Sequence, residues 1–368
     1  MPESRIAVLI AYTGDGGVEK MVNNLMGGFL SAGVAVDLLL LKSRGRHVSG
    51  IPHGVRIVPL NVRTSLLAIP AIRQYLLTAR PRALLAAKDR AGRAALLARR
   101  WAGTDTRVVL RIGMHLSGSL AGKSRVQRWA RFYPARRLYP WADAIVTVAR
   151  PIAEDLAEIT GLPMDRFKVI PNPTVTDDLY RLSAEPAEHP WFQEDGGTPV
   201  ILAAGRLKPQ KDFATLLQAF ALLRHDRNAR LIILGEGPQR PELLKLAESL
   251  GVAEDVDLPG FLDNPYPFMR SADIFVLSSR FEGSPNVLIE AISLGTSVVA
   301  TDCPSGPREI LGDSGVGRLV PVGDPPALAA AISAALDQPS DRDALRSAVE
   351  RYTVEKSTSE YLRILGLM

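Results

Sequence analysis

The chain has 368 residues, of which 46% are hydrophobic and 23% charged, and its formal net charge is +5. This length exceeds what one hydrophobic core usually holds, so two domains are expected. No stretch of eighteen apolar residues occurs, and the apolar start at 6–10 lacks the features of a signal peptide, so we expect no membrane-spanning segment. A single cysteine, Cys303, excludes an internal disulfide and fits a reducing compartment. The expected location is cytoplasmic.

The charge is unevenly distributed along the chain. Residues 1–180 contain 26 Lys and Arg against 13 Asp and Glu, whereas the remaining residues contain 18 against 26. A basic first half indicates an anionic partner. No nucleic-acid recognition motif is visible and the second half is acidic, so nucleic acid is not expected as that partner.

Apolar runs alternate with helical patterns through residues 1–172. This alternation predicts a doubly wound α/β domain built on a parallel sheet. The predicted strands are 6–11, 36–41, 55–59, 83–87, 107–112, 144–148 and 167–170.

Two features follow predicted strands of this domain. The loop after the first strand contains Gly14, Gly16 and Gly17, which permit positive φ and close approach of a ligand, although a structural tight turn is the commoner explanation. His115 follows the strand 107–112, where it fits either a structural role or a hydrogen-bonding role toward a substrate.

Residues 121–141 interleave cations with aromatic residues, and they contain no acidic residue. This pattern is typical of a helix lying on an anionic membrane surface. It is equally typical of an ordinary surface helix whose aromatic residues face the core and whose arginines face water. The residues are Lys123, Arg125, Arg128, Arg131, Arg136 and Arg137 with Trp129, Phe132, Tyr133, Tyr139 and Trp141.

A polar stretch at 173–198 is interpreted as a linker, and a second α/β domain is predicted over 199–352. Its alternating pattern is again that of a Rossmann-like unit. The predicted strands are 199–204, 230–234, 256–258, 274–278, 297–301 and 317–321.

Two cations, Arg206 and Lys211, follow the first strand of this second series. Asp212 can cap the next helix, 213–223, whose apolar residues keep helical spacing. Cations before a helix start at a strand's carboxyl end suit an anionic ligand, because open α/β sheets bind ligands at that edge. Solvated surface cations are the alternative.

Two glutamates flank a turn after the strand 274–278. Ser284 has the chemistry of an N-cap and Pro285 that of a first helical residue, so a helix is predicted to start there. Its first N–H groups, at Asn286 and Val287, are then placed to bind a diphosphate. Glu282 and Glu290 can accept hydrogen bonds from hydroxyl groups on either side of that anion. The alternative is a pair of solvated carboxylates.

Six segments in this order resemble the family-four retaining glycosyltransferases, the group 1 enzymes of the GT-B fold. The resemblance implies two Rossmann-like domains facing each other across a cleft, with the last helix, about 353–368, packing back on the first domain. The segments are Gly16-Gly17-Val18-Glu19, Ala142 to Val148, Val169 to Pro173, Gly205 to Lys211, Gly235-Glu236-Gly237-Pro238 and Glu282 to Glu290.

The resemblance implies specific roles for the candidate residues. Arg206 and Lys211 stabilise the leaving diphosphate, Glu282 holds the hydroxyls of the transferred sugar, and the ribose falls to Glu290. His115 is implied to act at the reaction centre. The remaining implied donor-binding residues are Gly16, Gly17, Gly205, Gly235, Phe261, Gly283, Ser284, Pro285, Asn286 and Val287.

The implied reaction is retaining, metal-independent transfer from a nucleoside diphosphate sugar to a glycan or lipid-linked acceptor. A UDP-hexose or a UDP-N-acetylhexosamine is the expected donor, and the inner face of the membrane is the expected place. The acceptor hydroxyl attacks from the side of the leaving group and gives its proton to the departing phosphate. No cofactor is implied.

Two segments depart from this pattern or imitate another one. Many family members have a Gly-Gly pair where this chain has Cys303-Pro304-Ser305-Gly306, so the family's sugar contacts at that loop are not carried over to this chain. Cys303 is expected to be a small packing residue, because a nucleophilic thiolate needs an activating base. Asp255 and Asp257 imitate a metal-binding pair but are interpreted as a strand edge.

Two other functions share parts of this pattern. A hydrolysing UDP-sugar epimerase has the same double Rossmann layout and releases UDP without an acceptor. A non-enzymatic nucleotide-binding module at a membrane surface is the other alternative. A dinucleotide-dependent dehydrogenase is not expected, because no Gly-x-Gly-x-x-Gly follows the first strand.

Overall fold

A computed structural model describes residues 5–13, 17–44, 48, 50–120, 122–193, 197–312 and 315–368. The chain divides into two compact units. Unit 1 comprises residues 1–174 and 352–368, and unit 2 comprises residues 175–351. None of the helices in these ranges is long and apolar enough to cross a bilayer.

Unit 1 is built on a seven-stranded parallel sheet with the order β3-β2-β1-β4-β5-β6-β7. All seven predicted strands are confirmed, with ends shifted by a few residues. Its elements are β1 (Arg5–Thr13), α1 (Gly17–Ser31), β2 (Ala35–Arg44), β3 (Arg56–Pro59), α2 (Ile69–Ala79), β4 (Ala83–Ala86), α3 (Asp89–Ala102), β5 (Arg107–Ile112), α4 (Leu116–Ser119), α5 (Arg125–Leu138), β6 (Ala144–Thr147), α6 (Arg150–Thr160), β7 (Phe167–Val169) and, from the end of the chain, α15 (Val354–Leu365).

Both faces of the central strands of this sheet are buried, which explains why those strands are continuous apolar runs rather than alternating ones, whereas the edge strands β3 and β7 are largely exposed. In β1, Ala7 and Leu9 point into one core, while Ile6 and Val8 point into the other. The second core also receives Tyr361, Leu362 and Leu365 from α15. Each buried aliphatic side chain contributes about 1.5–3 kcal/mol to folding, so the C-terminal helix is an integral part of unit 1.

A buried arginine connects three parts of unit 1. Arg111, at the end of β5, is 2% exposed and donates to Asn172 Oδ1 at 2.7 Å. Burial lowers the pKa of its guanidinium, and a hydrogen bond with Tyr361 opposes that shift. Burial also raises the pKa of Tyr361, to about 12. A side chain on Gly113 would collide with Arg111, since its Cβ would lie 2.4 Å from Nη1. The Pro171-Asn172 segment is therefore held by a structural hydrogen bond.

Unit 2 contains a six-stranded parallel sheet with the order β10-β9-β8-β11-β12-β13. The six predicted strands are confirmed. Its elements are α7 (Asp177–Ser183), β8 (Val200–Ala204), α8 (Phe213–Asp226), β9 (Arg230–Leu234), α9 (Arg240–Ser249), β10 (Val256–Gly260), α10 (Tyr266–Ser271), β11 (Ile274–Leu277), α11 (Asn286–Ser293), β12 (Ser297–Thr301), α12 (Pro307–Leu311), β13 (Gly317–Val320), α13 (Pro325–Asp337) and α14 (Arg342–Ala348).

Most of the segment predicted as a linker, 173–198, belongs to unit 2, which begins at Val175. It contains α7, whose Leu179 is fully buried, and the side chain of Thr176 caps that helix by accepting from the N–H of Leu179 at 3.1 Å. His189 is also buried; its Nδ1 accepts the N–H of Trp191 at 3.2 Å, and its Nε2 donates to Asp257 Oδ2 at 2.9 Å. Sequence reasoning did not predict this burial, because few of the buried residues are apolar and the segment as a whole is polar.

Candidate functional site

The strand order of unit 2 reverses between β8 and β11. From β8 the chain builds outward to β9 and β10 on one side, and to β11, β12 and β13 on the other. All strands are parallel, so their carboxyl ends share one edge of the sheet. Ligands of open α/β sheets bind at such a reversal, because the loops after the two central strands lead away in opposite directions and leave a crevice. The loops after β8 and β11 carry three of the four charged candidates, Arg206, Lys211 and Glu282, and the fourth, Glu290, lies on α11 directly after the second loop.

Lys211 and Glu282 meet across this reversal point. Lys211 Nζ lies 2.7 Å from Glu282 Oε1, and their side chains are 17% and 9% exposed. The Ser279 hydroxyl donates to the same carboxylate oxygen at 2.7 Å. Charge-assisted hydrogen bonds of this length are stronger than neutral ones. The structure therefore holds a cation and an acid in fixed positions at the carboxyl edge of the sheet.

Further hydrogen bonds join the same two loops. Ser278 Oγ donates to the carbonyl of Lys211 at 2.8 Å, and the Arg280 N–H donates to the carbonyl of Gln210 at 2.8 Å. Gln210 Nε2 donates to the carbonyl of Phe281 at 2.9 Å. These contacts fix the backbone on both sides of the ion pair. Two consecutive serines after β11 are a sign of these contacts in the sequence, but a serine pair in a loop does not by itself identify a site.

Asp212 follows Lys211 with a strained backbone. Its φ is +50°, which is uncommon for a residue other than glycine. The predicted helix after it is confirmed as α8, but the Asp212 side chain makes no capping bond to a backbone N–H. Its carboxylate instead accepts from the Thr215 hydroxyl at 2.9 Å and lies 3.0 Å from Nε of Arg280. The acid thus ties the start of α8 to the loop after β11.

The other two charged candidates lie on the same elements. Arg206 is exposed in the loop after β8, and within the described part of the chain no ion pair joins it to Glu282 or Glu290. Glu290 is 3% exposed within α11. The structure thus brings Lys211 and Glu282 into direct contact, and it places Arg206 and Glu290 on the neighbouring loop and helix.

Glycines allow the loops at this edge to approach closely. Gly235 follows β9 with φ of +130°, and a Cβ there would lie 2.0 Å from the carbonyl oxygen of Gly205. Only glycine tolerates such an approach. Phe261 directly follows β10 and is partly buried. Packing between neighbouring loops is therefore sufficient reason for Gly235, independent of any ligand.

The turn before α11 differs from the prediction by one position. Ser284 is not the N-cap; Pro285 occupies that position with ψ of +92°, and the helix begins at Asn286. The carbonyl of Pro285 accepts from the N–H groups of Leu288 and Ile289. Upstream, the Ser305 hydroxyl donates to the carbonyl of Gly283 at 2.8 Å. The Ser305–Gly283 hydrogen bond fixes the turn on the side before Ser284. Because the helix begins at Asn286, its first two N–H groups are those of Asn286 and Val287, as predicted.

Two family profiles together match almost the whole chain. Residues 16–173 match the family described as "Glycosyl transferase 4-like domain", and residues 185–352 match "Glycosyl transferases group 1". The lipopolysaccharide core biosynthesis glycosyltransferase LpsE of Rhizobium meliloti is 32% identical over 240 residues, which cover 64% of this chain and 67% of LpsE. The chain belongs to the group 1 glycosyltransferases.

A second curated relative matches this group 1 chain over a smaller part of the relative's length. It is N-acetylgalactosamine-N,N'-diacetylbacillosaminyl-diphospho-undecaprenol 4-alpha-N-acetylgalactosaminyltransferase of Campylobacter jejuni, 37% identical over 185 residues. The match covers 50% of this chain and 48% of that protein, so the chain aligns with about half of its length.

Solved structures resemble the group 1 chain over nearly all its residues. Anabaena HepE in complex with UDP has a TM-score of 0.79 at 19% identity and covers 99% of this chain and 100% of its own. The outer core galactosyltransferase WaaB in its apo form has a TM-score of 0.76 at 20% identity and covers 98% and 99%. At these identities the likeness establishes the fold alone, which is the GT-B fold.

Cys303 lies next to the ion pair of this group 1 chain but is unsuited to nucleophilic chemistry. Its side chain is 2% exposed. Burial, reinforced by the nearby Glu282 carboxylate, raises the pKa of the thiol from its usual 9.0 to about 12. At neutral pH the group is therefore a protonated thiol packed behind the site, since the thiolate is the nucleophilic form.

His115 lies in unit 1 as the N-cap residue of α4. Its Nδ1 accepts the N–H of Gly118 at 3.1 Å. The distance from Nδ1 to Asp155 Oδ2, 3.5 Å, is too long for a good hydrogen bond, and that carboxylate already accepts the N–H of Leu116 at 2.6 Å. With Nδ1 an acceptor, the neutral ring carries its proton on Nε2, and that atom can donate.

The remaining glycine candidates belong to the start of α1. Gly17 is its first residue and is exposed, whereas Gly16 lies outside the residues that the structure describes. No statement about the loop 14–16 follows from the structure.

The Asp255 and Asp257 pair lies on the edge strand side of unit 2, as interpreted from the sequence. Asp255 pairs with Arg224 at 2.8 Å, and Asp257 contacts His189. Within the described ranges, no group of three or more His, Cys, Asp and Glu side chains is arranged to hold a metal ion.

Proposed function

We propose that the chain transfers a sugar, with retention of configuration, from a UDP-sugar to a glycan or lipid-linked acceptor at a membrane face. Family membership supports the reaction class. The Campylobacter relative is named for N-acetylgalactosamine addition to an undecaprenol-linked diphosphate, and HepE was solved with UDP and with UDP-glucose. A hexose or an N-acetylhexosamine is the proposed transferred sugar.

The Lys211–Glu282 pair at the strand reversal is the observation that carries this proposal. A diphosphate leaving group gains negative charge as the glycosidic bond breaks, and a fixed ammonium lowers the energy of that state. In this proposal Lys211 provides that ammonium, and Arg206, exposed on the same loop, adds a second cation. The start of α11 contributes its positive dipole end.

Glu282 has two functions in this mechanism. Without donor it neutralises Lys211 at 2.7 Å. When the diphosphate arrives, the phosphate oxygens compete for Lys211, and the carboxylate becomes available to accept hydrogen bonds from sugar hydroxyls. Ser279 keeps the carboxylate oriented during this exchange, since it bonds the same oxygen. The neutralising contact and the sugar contact thus use one acid in turn.

Glu290 and the first turn of α11 complete the proposed donor site. The Glu290 carboxylate is proposed to accept hydrogen bonds from the ribose diol. Asn286 and Val287 are proposed to present N–H groups to the diphosphate, next to Gly283, Ser284 and Pro285. Gly205, Gly235 and Phe261 are proposed to border the nucleotide. Gly16 and Gly17 are proposed to approach the donor phosphates or the acceptor.

The proposed transfer needs no dedicated base. The acceptor hydroxyl attacks from the side of the departing diphosphate and passes its proton to a phosphate oxygen, which becomes basic as the bond to the sugar breaks. His115 is proposed to donate a hydrogen bond to a substrate through Nε2. No metal ion is proposed, because the cations and the helix start supply the charge stabilisation.

A panel of UDP-sugars tests the function. Purified protein is incubated with each donor, with and without a membrane extract as acceptor source, and released UDP is measured. Acceptor-dependent UDP release in the presence of EDTA, with an α-linked product from an α-linked donor, is the expected result. UDP release that does not depend on acceptor indicates hydrolysis or epimerisation instead, and an absence of release with every donor contradicts the proposal.

A further inference from the structure

Helix α5 has an inner face that is firmly anchored to unit 1. Ala135 is fully buried, and Phe132 packs against the core. Arg131 pairs with Asp89 of α3 at 2.9 Å, and Arg136 donates to the carbonyl of Ile159 at the end of α6 at 2.8 Å. The helix start is fixed by a capping box, in which Ser124 and Gln127 bond each other's backbone N–H groups. The orientation of the opposite face is therefore determined.

That opposite face carries an exposed apolar row. Val126, Trp129 and Tyr133 are 74%, 62% and 46% exposed. Their spacing of three and four residues places them on one side of a helix. The rings of Trp129 and Tyr133 are stacked, with centroids 5.1 Å apart. The sequence left open whether the aromatic residues face the core; Tyr139 and part of Phe132 do, and these two do not.

Cations surround the exposed row. Arg125 and Arg128 line an open groove of about 300 Å³ together with Trp129 and Tyr133, and the groove extends to Phe132 and Arg136, the two residues that also anchor the inner face. Between Asp105 and Asp143 the sequence contains no acidic residue at all. An ordinary solvated helix mixes both signs of charge, because opposite charges four residues apart stabilise it. This face has cations and apolar groups only.

We propose that the outward face of α5 docks unit 1 onto an anionic phospholipid bilayer. Trp and Tyr rings favour the level of the lipid headgroups, where the ring is shielded from water and the polar atom stays hydrated. Arginine side chains beside them reach the headgroup phosphates, and juxtaposed basic residues are attracted by the negative surface potential. The proposal rests on the proposed function only in that a lipid-linked acceptor would lie in the same bilayer.

Vesicle cosedimentation tests the proposal with the full chain. The probes are phosphatidylcholine vesicles and vesicles of phosphatidylcholine with one quarter phosphatidylglycerol, each at low and at moderate salt. We expect binding to the phosphatidylglycerol vesicles that weakens with salt. The double variants Trp129→Ala/Tyr133→Ala and Arg125→Ala/Arg128→Ala should each lower the partition coefficient roughly tenfold or more, from lost interfacial burial and lost charge respectively.

Matched changes on another helix serve as the control. In α9, Leu244 is 41% exposed and Lys245 is exposed, so Leu244→Ala/Lys245→Ala removes comparable groups from unit 2 and should leave vesicle binding unchanged. All variants alter exposed side chains, and thermal unfolding verifies that they are folded. A polarity-sensitive fluorescent dye can be attached at position 126 in the variant Val126→Cys, because Cys303 is buried and unreactive. The emission maximum of the dye should shift to shorter wavelength only with phosphatidylglycerol vesicles.

Three results overturn the proposal. The first is equal binding of the wild-type protein to both kinds of vesicle, and the second is undiminished vesicle binding by both α5 double variants. The third is that the protein binds an RNA or DNA oligonucleotide but not vesicles, and that the Arg125→Ala/Arg128→Ala change abolishes the oligonucleotide binding. Vesicle binding requires no turnover. Its loss therefore leaves the glycosyl-transfer proposal standing, and inactivity with every UDP-sugar does not alter the vesicle result.

Discussion

Both units place a Lys–Glu pair at the point where the strand order reverses. In unit 1 the reversal lies between β1 and β4, and Lys88, after β4, lies 2.8 Å from Glu19 in the first turn of α1. In unit 2 the reversal lies between β8 and β11, and Lys211 lies 2.7 Å from Glu282. The same topology thus brings a cation and an acid together twice.

The surroundings of the two pairs differ. Lys88 Nζ also donates to the carbonyl of Ala11 at 2.9 Å, so part of its hydrogen-bonding capacity closes the end of β1. Around Lys211, hydrogen bonds from the two serine hydroxyls and between the loop backbones hold the Lys211–Glu282 pair in place. An exposed arginine, Arg206, follows the same strand as Lys211. The comparison teaches that topology places such a pair, while the neighbouring groups decide whether it stabilises the fold or binds an anion.

The largest expected effect is a loss of turnover on removing Lys211, which distinguishes this lysine from Lys88. Lys211→Ala should lower turnover with a UDP-sugar by about 10²-fold or more, the usual loss when one preorganised charge stabiliser is removed. Steady-state kinetics measure it, with Lys208→Ala as control, because Lys208 is an exposed cation on the same loop. Wild-type turnover in a folded Lys211→Ala protein would falsify the role given to this lysine.

Glu282→Gln probes the exchange proposed for the acid. Turnover should fall by roughly 10-fold to 100-fold, the scale of one hydrogen bond to a charged group. The affinity for UDP alone should rise, because the carboxylate no longer competes with phosphate for Lys211. Steady-state kinetics measure the turnover, and isothermal titration calorimetry measures the affinity for UDP. Weaker UDP binding by this variant would instead identify Glu282 as a purely structural support for the lysine.

Glu290→Ala should raise the donor Michaelis constant about tenfold and lower turnover less than that. Contacts with the ribose act in the ground state and the transition state alike, so their loss appears in the Michaelis constant. Initial rates over a range of donor concentrations separate the two parameters. A selective loss of turnover would reassign this residue to the reacting sugar.

Lys88→Ala should act mainly on stability. The change removes the ion pair with the buried Glu19 and the bond to Ala11, which should lower the free energy of unfolding by about 1–3 kcal/mol. Turnover at saturating donor should change far less than for Lys211→Ala. Urea unfolding and steady-state kinetics on the same preparation measure both. A turnover loss equal to that of Lys211→Ala, without destabilisation, would show that the two pairs are functionally alike.

Cys303 should give the smallest effect on turnover. Cys303→Ala is expected to retain near-wild-type rates, and the native thiol should react with a thiol reagent only after unfolding. The pKa of the thiol is about 12 in the folded protein and 9.0 as its usual value. The protonated thiol's contribution to stability is therefore complete below pH 9 and is lost as the pH rises from 9 toward 12. Rapid native labelling at pH 8 would contradict this.

The sequence was informative about elements and about the order of motifs. Buried strands such as Ile274–Leu277 are continuous apolar runs, and the helix at 213–226 shows its buried residues at helical spacing. The charged candidates were predictable because Arg206, Lys211 and Glu282 each follow such a run. Ser279 and Arg280 were not, because a serine or arginine in a loop has the same local pattern whether or not its partner lies across the sheet.

The amino-acid sequence by itself determined the two α/β units, the thirteen strands found among the described residues, and the family, because side-chain periodicity and motif order are local properties of the chain. Only the tertiary structure decided that Lys211 contacts Glu282 rather than solvent, that Pro285 rather than Ser284 caps α11, and that Trp129 and Tyr133 face outward. These outcomes depend on which strands become neighbours and how each helix is rotated on its sheet. Both are set by packing between residues far apart in the chain, which no local pattern encodes.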